Sequence, residues 1–208
     1  MPLDTLIIAD YLGVYVFATS GALLAASKRL DLFGFAVLAL MPAVGGGTLR
    51  DLLLDQPVFW IADPTYLYIT LAASLITFFS AGFLNRLREP LAWFDALGLA
   101  VFCALGAAKA MQITQDPLVS VAMGVVTAVA GGIVRDVVAN DLPLILHKQV
   151  YATAAFAGAS AYVLAKLFTT WPEDWLLLIA ISLAFATRAL GIVFGLSLPA
   201  YNDQKTRG

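Results

Sequence analysis

The sequence predicts an all-α integral membrane protein: seven transmembrane helices, six in an inverted three-plus-three repeat and a seventh outside it. Three observations carry that expectation. Of 208 residues, 61% are hydrophobic and 12% charged, whereas soluble domains carry about 25% charged residues. The mean hydropathy is +0.88. The chain also overlays on itself without a gap when slid by 85 residues.

A membrane helix needs about 20 mostly apolar residues, and seven stretches qualify. They run over residues 6–27, 32–54, 65–85, 91–112, 117–139, 149–168 and 175–197. Span 1 lacks a basic leader and is interrupted by Asp10, so it reads as a retained helix rather than a signal peptide. Span 2 opens at Asp31 and span 5 at Asp116-Pro117, an N-cap followed in span 5 by proline at the first helical position. Charge and turn residues separate the spans: Lys28-Arg29, Gln56-Pro57 with Asp63-Pro64, Arg86 to Pro90, Asp141 to Lys148, and Trp171 to Asp174. Trp60, Trp93, Trp171 and Trp175 fall near span ends, as an interfacial aromatic belt requires. Span 7 contains Gly191-x-x-x-Gly195, a spacing that lets helices approach closely.

In the self-overlay Asp10 meets Asp95, Phe17 meets Phe102, Gly46-Gly47 meets Gly131-Gly132, Arg50-Asp51 meets Arg135-Asp136, and Tyr66 meets Tyr151. Glycine and charge matches weigh most, because charged residues are rare in membrane spans. Each copy holds three spans, and an odd number turns the second copy upside down. The chain is therefore expected to be one membrane domain over 1–208, with repeat one at about 6–85, repeat two at about 91–168 and the seventh helix at about 175–197.

Loop charge sets the expected direction. The side opposite the N-terminus collects Lys28, Arg29, Arg86, Arg88, His147, Lys148, Lys205 and Arg207. By the positive-inside rule the N-terminus is outside and the C-terminus cytoplasmic, in an inner (plasma) membrane.

The candidate site is the repeated motif. Gly45, Gly46 and Gly47 lie about fourteen residues past Asp31, roughly 21 Å along a helix; Gly131 and Gly132 lie similarly deep in span 5. Consecutive glycines are expected to break both helices, freeing carbonyls where the backbone lines a wet cavity. Arg50 and Asp51 then fall toward one mouth, and Arg135 and Asp136 toward the other. An arginine at membrane depth costs about 2.5–3.5 kcal/mol on insertion scales, so each needs a partner or water. Adjacent helical residues point about 100° apart, so those partners are expected on other helices. Close packing by glycine and an Arg-Asp clamp is the structural alternative. Two copies at opposite depths favour a polar pathway.

Four further charges belong to the candidate set. Lys109, whose repeat counterpart is Leu24, either snorkels or gates. Arg188 lies deep in span 7 and is expected to pair with Asp136. Asp10 and Asp95, at the starts of spans 1 and 4, suit helix N-termini or attract cations at the mouths. Lys166 is expected to snorkel.

Other classes are disfavoured. The 12 Lys and Arg are scattered, against nucleic-acid binding. One histidine and one cysteine, Cys103, offer no catalytic dyad, and the glycine segment lacks a P-loop lysine, so neither an enzyme nor a cofactor is expected. Whether a metal binds is left open.

Seven spans, the inverted repeat and the segments Gly45-Gly46-Gly47-Thr48-Leu49-Arg50-Asp51 and Ala130-Gly131-Gly132-Ile133-Val134-Arg135-Asp136 resemble the prokaryotic relatives of the trimeric intracellular cation channels. The resemblance covers nearly the whole chain. It implies a homotrimer in membrane lipid, with a pore inside each protomer lined by spans 1, 2, 4 and 5. It implies passage of monovalent cations, mainly potassium. Related bacterial sequences also carry a glycine-transporter label, so a secondary transporter for glycine or another small zwitterion is the second reading.

Overall fold

The structure is a computed structural model that describes residues 3–83 and 88–197. Arg86, Lys205 and Arg207, and the side chain of Arg88, lie outside the described residues. The described elements are α1 (Leu3–Ser27), α2 (Leu32–Leu53), the short α3 (Phe59–Ala62), α4 (Thr65–Ser80), α5 (Arg88–Thr114), α6 (Pro117–Val138), α7 (Ala152–Phe168) and α8 (Glu173–Phe194). Six are long and apolar enough to cross a membrane; α7, at 17 residues, is shorter but apolar. Helices α1, α2, α4, α5, α6, α7 and α8 are the seven expected spans.

The inverted repeat is visible in the boundaries. Helix α2 runs from Leu32 to Leu53 and α6 from Pro117 to Val138, the same 85-residue offset at both ends. Asp31 caps α2 by accepting from the Gly34 N–H at 2.8 Å, and Asp116 caps α6 by accepting from the Val119 N–H at 2.9 Å. Past the C-terminal ends, Asp55 (φ 52°) and Asn140 (φ 55°) turn the chain through the left-handed region, which short polar side chains tolerate.

Four helices, α1, α2, α5 and α6, form the centre; α4 packs on α1 and α2, and α7 and α8 pack on α5. Between lipid-covered helices no hydrophobic force drives association, so close packing must hold the bundle. Phe17 and Phe102, a repeat-related pair, stack at 5.3 Å with 18° between planes. Each ring sits over the other copy's glycine: a Cβ on Gly98 would lie 2.2 Å from Phe17, and one on Gly13 would lie 3.4 Å from Phe102. The pseudo-twofold axis thus passes beside a stacked aromatic pair.

The glycines of the motif correct one expectation. Helices α2 and α6 continue through Gly45–Gly47 and Gly131–Gly132 without a break. The glycines serve contact instead. A Cβ on Gly46 would lie 2.0 Å from the Thr127 carbonyl oxygen, and one on Gly131 would lie 2.8 Å from that of Pro42, the repeat counterpart of Thr127. Gly45 faces the Gly131 Cα, with 3.3 Å for a Cβ. Glycine in a helix costs about 1 kcal/mol relative to alanine; backbone-to-backbone approach of α2 and α6 offsets that. In α8, Gly191 packs on Val150, but Gly195 is the left-handed C-cap (φ 61°) rather than half of a packing pair.

Candidate functional site: two buried charge clusters

The chain crosses the bundle alternately, so its connections sort onto two faces. The first face carries the start of α1 and residues 54–64; the second carries Lys28 and residues 139–151. On the second face Lys28 bonds Asp141 at 2.5 Å.

The Arg-Asp neighbours do bond each other, contrary to the expectation from helical geometry. Arg50 Nε donates to Asp51 Oδ1 at 2.8 Å, and Arg135 Nε to Asp136 Oδ1 at 2.8 Å. Both aspartates lie in the last turn, so their carboxylates leave the helix surface, and the long arginine stem wraps sideways to meet them. The second carboxylate oxygen pins the chain eight residues on. Asp51 Oδ2 accepts from the Phe59 N–H at 3.0 Å, and Asp136 Oδ2 from the Leu144 N–H at 3.1 Å. The motif is therefore a staple that folds the following connection back over the helix end.

Beyond the staple the halves diverge. On the first face Lys109 Nζ donates to Asp51 Oδ1 at 2.8 Å. Its counterpart Leu24 makes no such bond and lines a cavity of about 370 Å³ at the second face, with Arg135, Asp136, Asp141, His147, Gln149 and Arg188. On the second-face side Arg135 reaches across helices: Nη1 donates to Asp95 Oδ1 at 2.8 Å and to Ser20 Oγ at 3.0 Å. Arg135 and Asp95 are both 0% exposed. Arg50 lies over the Phe59 ring at 5.8 Å, and among the described residues no ion pair joins it to Asp10. Asp10 Oδ2 instead accepts from the Tyr66 hydroxyl at 2.9 Å.

Two placements differ from expectation. Arg188 does not take Asp136, whose oxygens are already held by Arg135 and Leu144. Arg188 Nη1 donates to the Val150 carbonyl at 2.8 Å, and the guanidinium lies 5.2 Å from the Tyr151 ring centre. Asp10 and Asp95 lie seven residues beyond Leu3 and Arg88, the first residues of α1 and α5. Helix-terminus charge effects fade within the first turn, so both carboxylates act through side-chain partners. Lys166 pairs with Glu173 at 2.6 Å.

Sequence reasoning did not assign Tyr66, Tyr151 or Ser20 a role, although the tyrosines match in the self-overlay. It also missed the Tyr11 hydroxyl, which donates to Asp63 Oδ2 at 2.5 Å. Asp63 lies between the spans; hydrogen bonds from Tyr11 first, then from Thr65, hold its carboxyl below its ordinary value of 3.8. Among the described residues, no group of three His, Cys, Asp or Glu side chains is arranged to hold a metal ion.

Each cluster combines two cations with two carboxylates: Arg50 and Lys109 with Asp51 and, through charge alone, Asp10, and Arg135 with Asp95 and Asp136, beside Arg188. Both are formally neutral and polar; Arg50, Asp51, Asp95, Arg135, Asp136 and Arg188 are buried, and Asp10 and Lys109 are partly exposed.

Comparison with known proteins agrees with this architecture. A family model described as "Glycine transporter" matches twice, over residues 7–81 and 92–166, again 85 residues apart. The UPF0126 inner membrane protein YadS of Escherichia coli K12 is 41% identical over 194 residues, covering 92% of this chain and 94% of that protein. The TRIC trimeric intracellular cation channel orthologue from Rhodobacter sphaeroides is 40% identical with a TM-score of 0.89, covering 92% of this chain and 99% of that one. A second solved TRIC cation channel is 33% identical with a TM-score of 0.86, covering 99% of this chain and 100% of that one. The chain belongs to the family of the glycine-transporter model and the UPF0126 membrane proteins, and is a prokaryotic member of the trimeric intracellular cation (TRIC) channel family.

Proposed function

We propose that the protein is a potassium-permeable, monovalent-cation channel, assembled as a homotrimer with one pore inside each protomer among α1, α2, α5 and α6. The observation that carries this reading is the pair of neutral charge clusters built around the repeat-related Arg50-Asp51 and Arg135-Asp136, one toward each face. A lone buried arginine would repel a cation. Here Arg50 and Arg135 are each held by a carboxylate, so the path keeps carboxylate oxygens without net positive charge. Likeness to solved cation channels over nearly the full chain supports the same reading. In this account Arg50, Asp51, Arg135 and Asp136 are the pore charges. Gly45, Gly46, Gly47, Gly131 and Gly132 form the seam along which α2 and α6 shift. Lys109 closes the first-face mouth by holding Asp51, and Asp10, Asp95 and Arg188 flank the path. The second face, carrying Lys28, Arg29, His147 and Lys148, is cytoplasmic, which places the N-terminus outside.

The family description favours one other reading, a transporter for glycine or a similar zwitterion. Carboxylates could hold the ammonium and arginines the carboxylate. Proteoliposomes separate the two. Valinomycin-independent potassium flux without glycine uptake supports the channel. Saturable glycine uptake without potassium flux replaces it with the transporter.

A further inference from the structure

The two repeats hold the same three side chains in different arrangements. In repeat two the arginine has the carboxylate: Arg135 Nη1 donates to Asp95 Oδ1 at 2.8 Å, and the buried Tyr151 hydroxyl has no hydrogen-bond partner among the described residues. In repeat one the tyrosine has it: Tyr66 donates to Asp10 Oδ2 at 2.9 Å, while Arg50, which bonds Asp51 as Arg135 bonds Asp136, lies over the Phe59 ring and makes no ion pair with Asp10 among the described residues. Asp10, Arg50 and Tyr66 correspond to Asp95, Arg135 and Tyr151 at the 85-residue offset. Among the described residues each carboxylate keeps one buried oxygen without a partner, Asp10 Oδ1 and Asp95 Oδ2.

In repeat two the three groups meet around one glycine. The Cβ position of Gly132 lies 2.9 Å from the Tyr151 hydroxyl oxygen and 3.9 Å from both Arg135 Nη2 and Asp95 Oδ1. Hydroxyl, guanidinium and carboxylate therefore border one small space that a side chain at Gly132 would fill. In repeat one Phe59 links the same parts: Arg50 lies 5.8 Å from its ring centre, and that ring packs 4.6 Å from Tyr66.

We propose that Asp10 and Asp95 are two monovalent-cation sites, opened and closed by exchange of arginine for tyrosine on the carboxylate within each repeat. Arginine neutralises the carboxylate and occupies the ion's place. Tyrosine donates a hydrogen bond but leaves the negative charge and one oxygen unused. A buried carboxylate oxygen without a direct ion-pair partner is costly and draws in a cation. One carboxylate carries one negative charge, which balances a monovalent cation and leaves a divalent one half uncompensated, so the ligand is a monovalent ion. Repeat one is seen with its site available and repeat two with its site occupied by arginine. The inverted relationship implies a second state with the roles reversed. Only the use of these sites in conduction rests on the channel reading.

The test is labelling of the reconstituted protein with dicyclohexylcarbodiimide, an apolar carboxyl reagent, mapped by mass spectrometry at Asp10 and Asp95, with Tyr66→Phe and Tyr151→Phe as variants. Each variant removes one hydroxyl; size-exclusion profiles check its folding. The exchange predicts that Tyr66→Phe lowers Asp10 labelling roughly tenfold, the effect of one hydrogen bond to a charged group, because Arg50 takes its place. It predicts that Tyr151→Phe reduces Asp95 labelling to background, and that potassium protects Asp10 in the unaltered protein. A fixed structural role predicts the opposite: Tyr66→Phe would expose Asp10 and raise its labelling, and Tyr151→Phe would change nothing. Either of those results overturns the exchange, and labelling indifferent to potassium overturns the cation sites. Labelling as predicted in a protein that carries no current supports the exchange while removing the channel reading.

Discussion

Asp95 and Arg135 are fully buried and meet at 2.8 Å, whereas among the described residues their repeat mates Asp10 and Arg50 form no ion pair with each other. The same substitution should therefore cost different amounts in the two copies. Removing one partner of a buried pair costs about 3–5 kcal/mol, and Asp95→Asn is expected in that range. Asp10→Asn keeps an oxygen for the Tyr66 hydroxyl and is expected to cost about 1 kcal/mol. Thermal unfolding in detergent compares them; equal losses would contradict the asymmetry.

The staple predicts a local effect. Asp136→Ala removes the acceptor of the Leu144 N–H, and Asp51→Ala that of the Phe59 N–H. Amide hydrogen exchange should accelerate at Leu144 or Phe59 respectively. The Asp31 and Asp116 caps, at the other ends of α2 and α6, should keep their protection.

Glycine contact predicts a large effect beside a null one. Gly46→Ala would place a Cβ 2.0 Å from the Thr127 carbonyl oxygen, while among the described residues nothing lies within 4 Å of the corresponding position at Gly82. Overpacking costs about 1–3 kcal/mol and more against rigid backbone. Gly46→Ala is expected to lower the melting temperature sharply or abolish assembly, and Gly82→Ala to leave it unchanged.

Asp63 predicts a pH dependence. Its carboxyl is held below its ordinary value of 3.8, first by the Tyr11 hydroxyl and then by Thr65. A depressed value in the folded state means the stabilisation is fully present above the ordinary value. It is lost as pH falls through the depressed one. The melting temperature of the parent protein should therefore fall more steeply below about pH 4 than that of Asp63→Asn. Parallel curves would show that the Tyr11 bond does not stabilise the fold.

Much of the fold was legible because a bilayer constrains a chain so tightly. Apolar length set the seven spans, and Asp31 and Asp116 marked helix starts by their cap chemistry. The repeat was readable from Asp, Arg and Gly because those residues are rare in spans. The glycines misled: helix propensity speaks of one chain, while Gly46 and Gly131 answer to the backbone of the opposing helix. The Arg-Asp bond misled because the 100° rule describes Cβ directions, not a long arginine stem at a helix end. Lys109 with Asp51, and Arg135 with Asp95 and Ser20, join residues distant in sequence, which only packing brings together.

The central claim is tested most directly by reversal potential in planar bilayers under a potassium chloride gradient. The account predicts unitary currents that reverse near the potassium equilibrium potential. Silent bilayers, or currents reversing near the chloride potential, would contradict it.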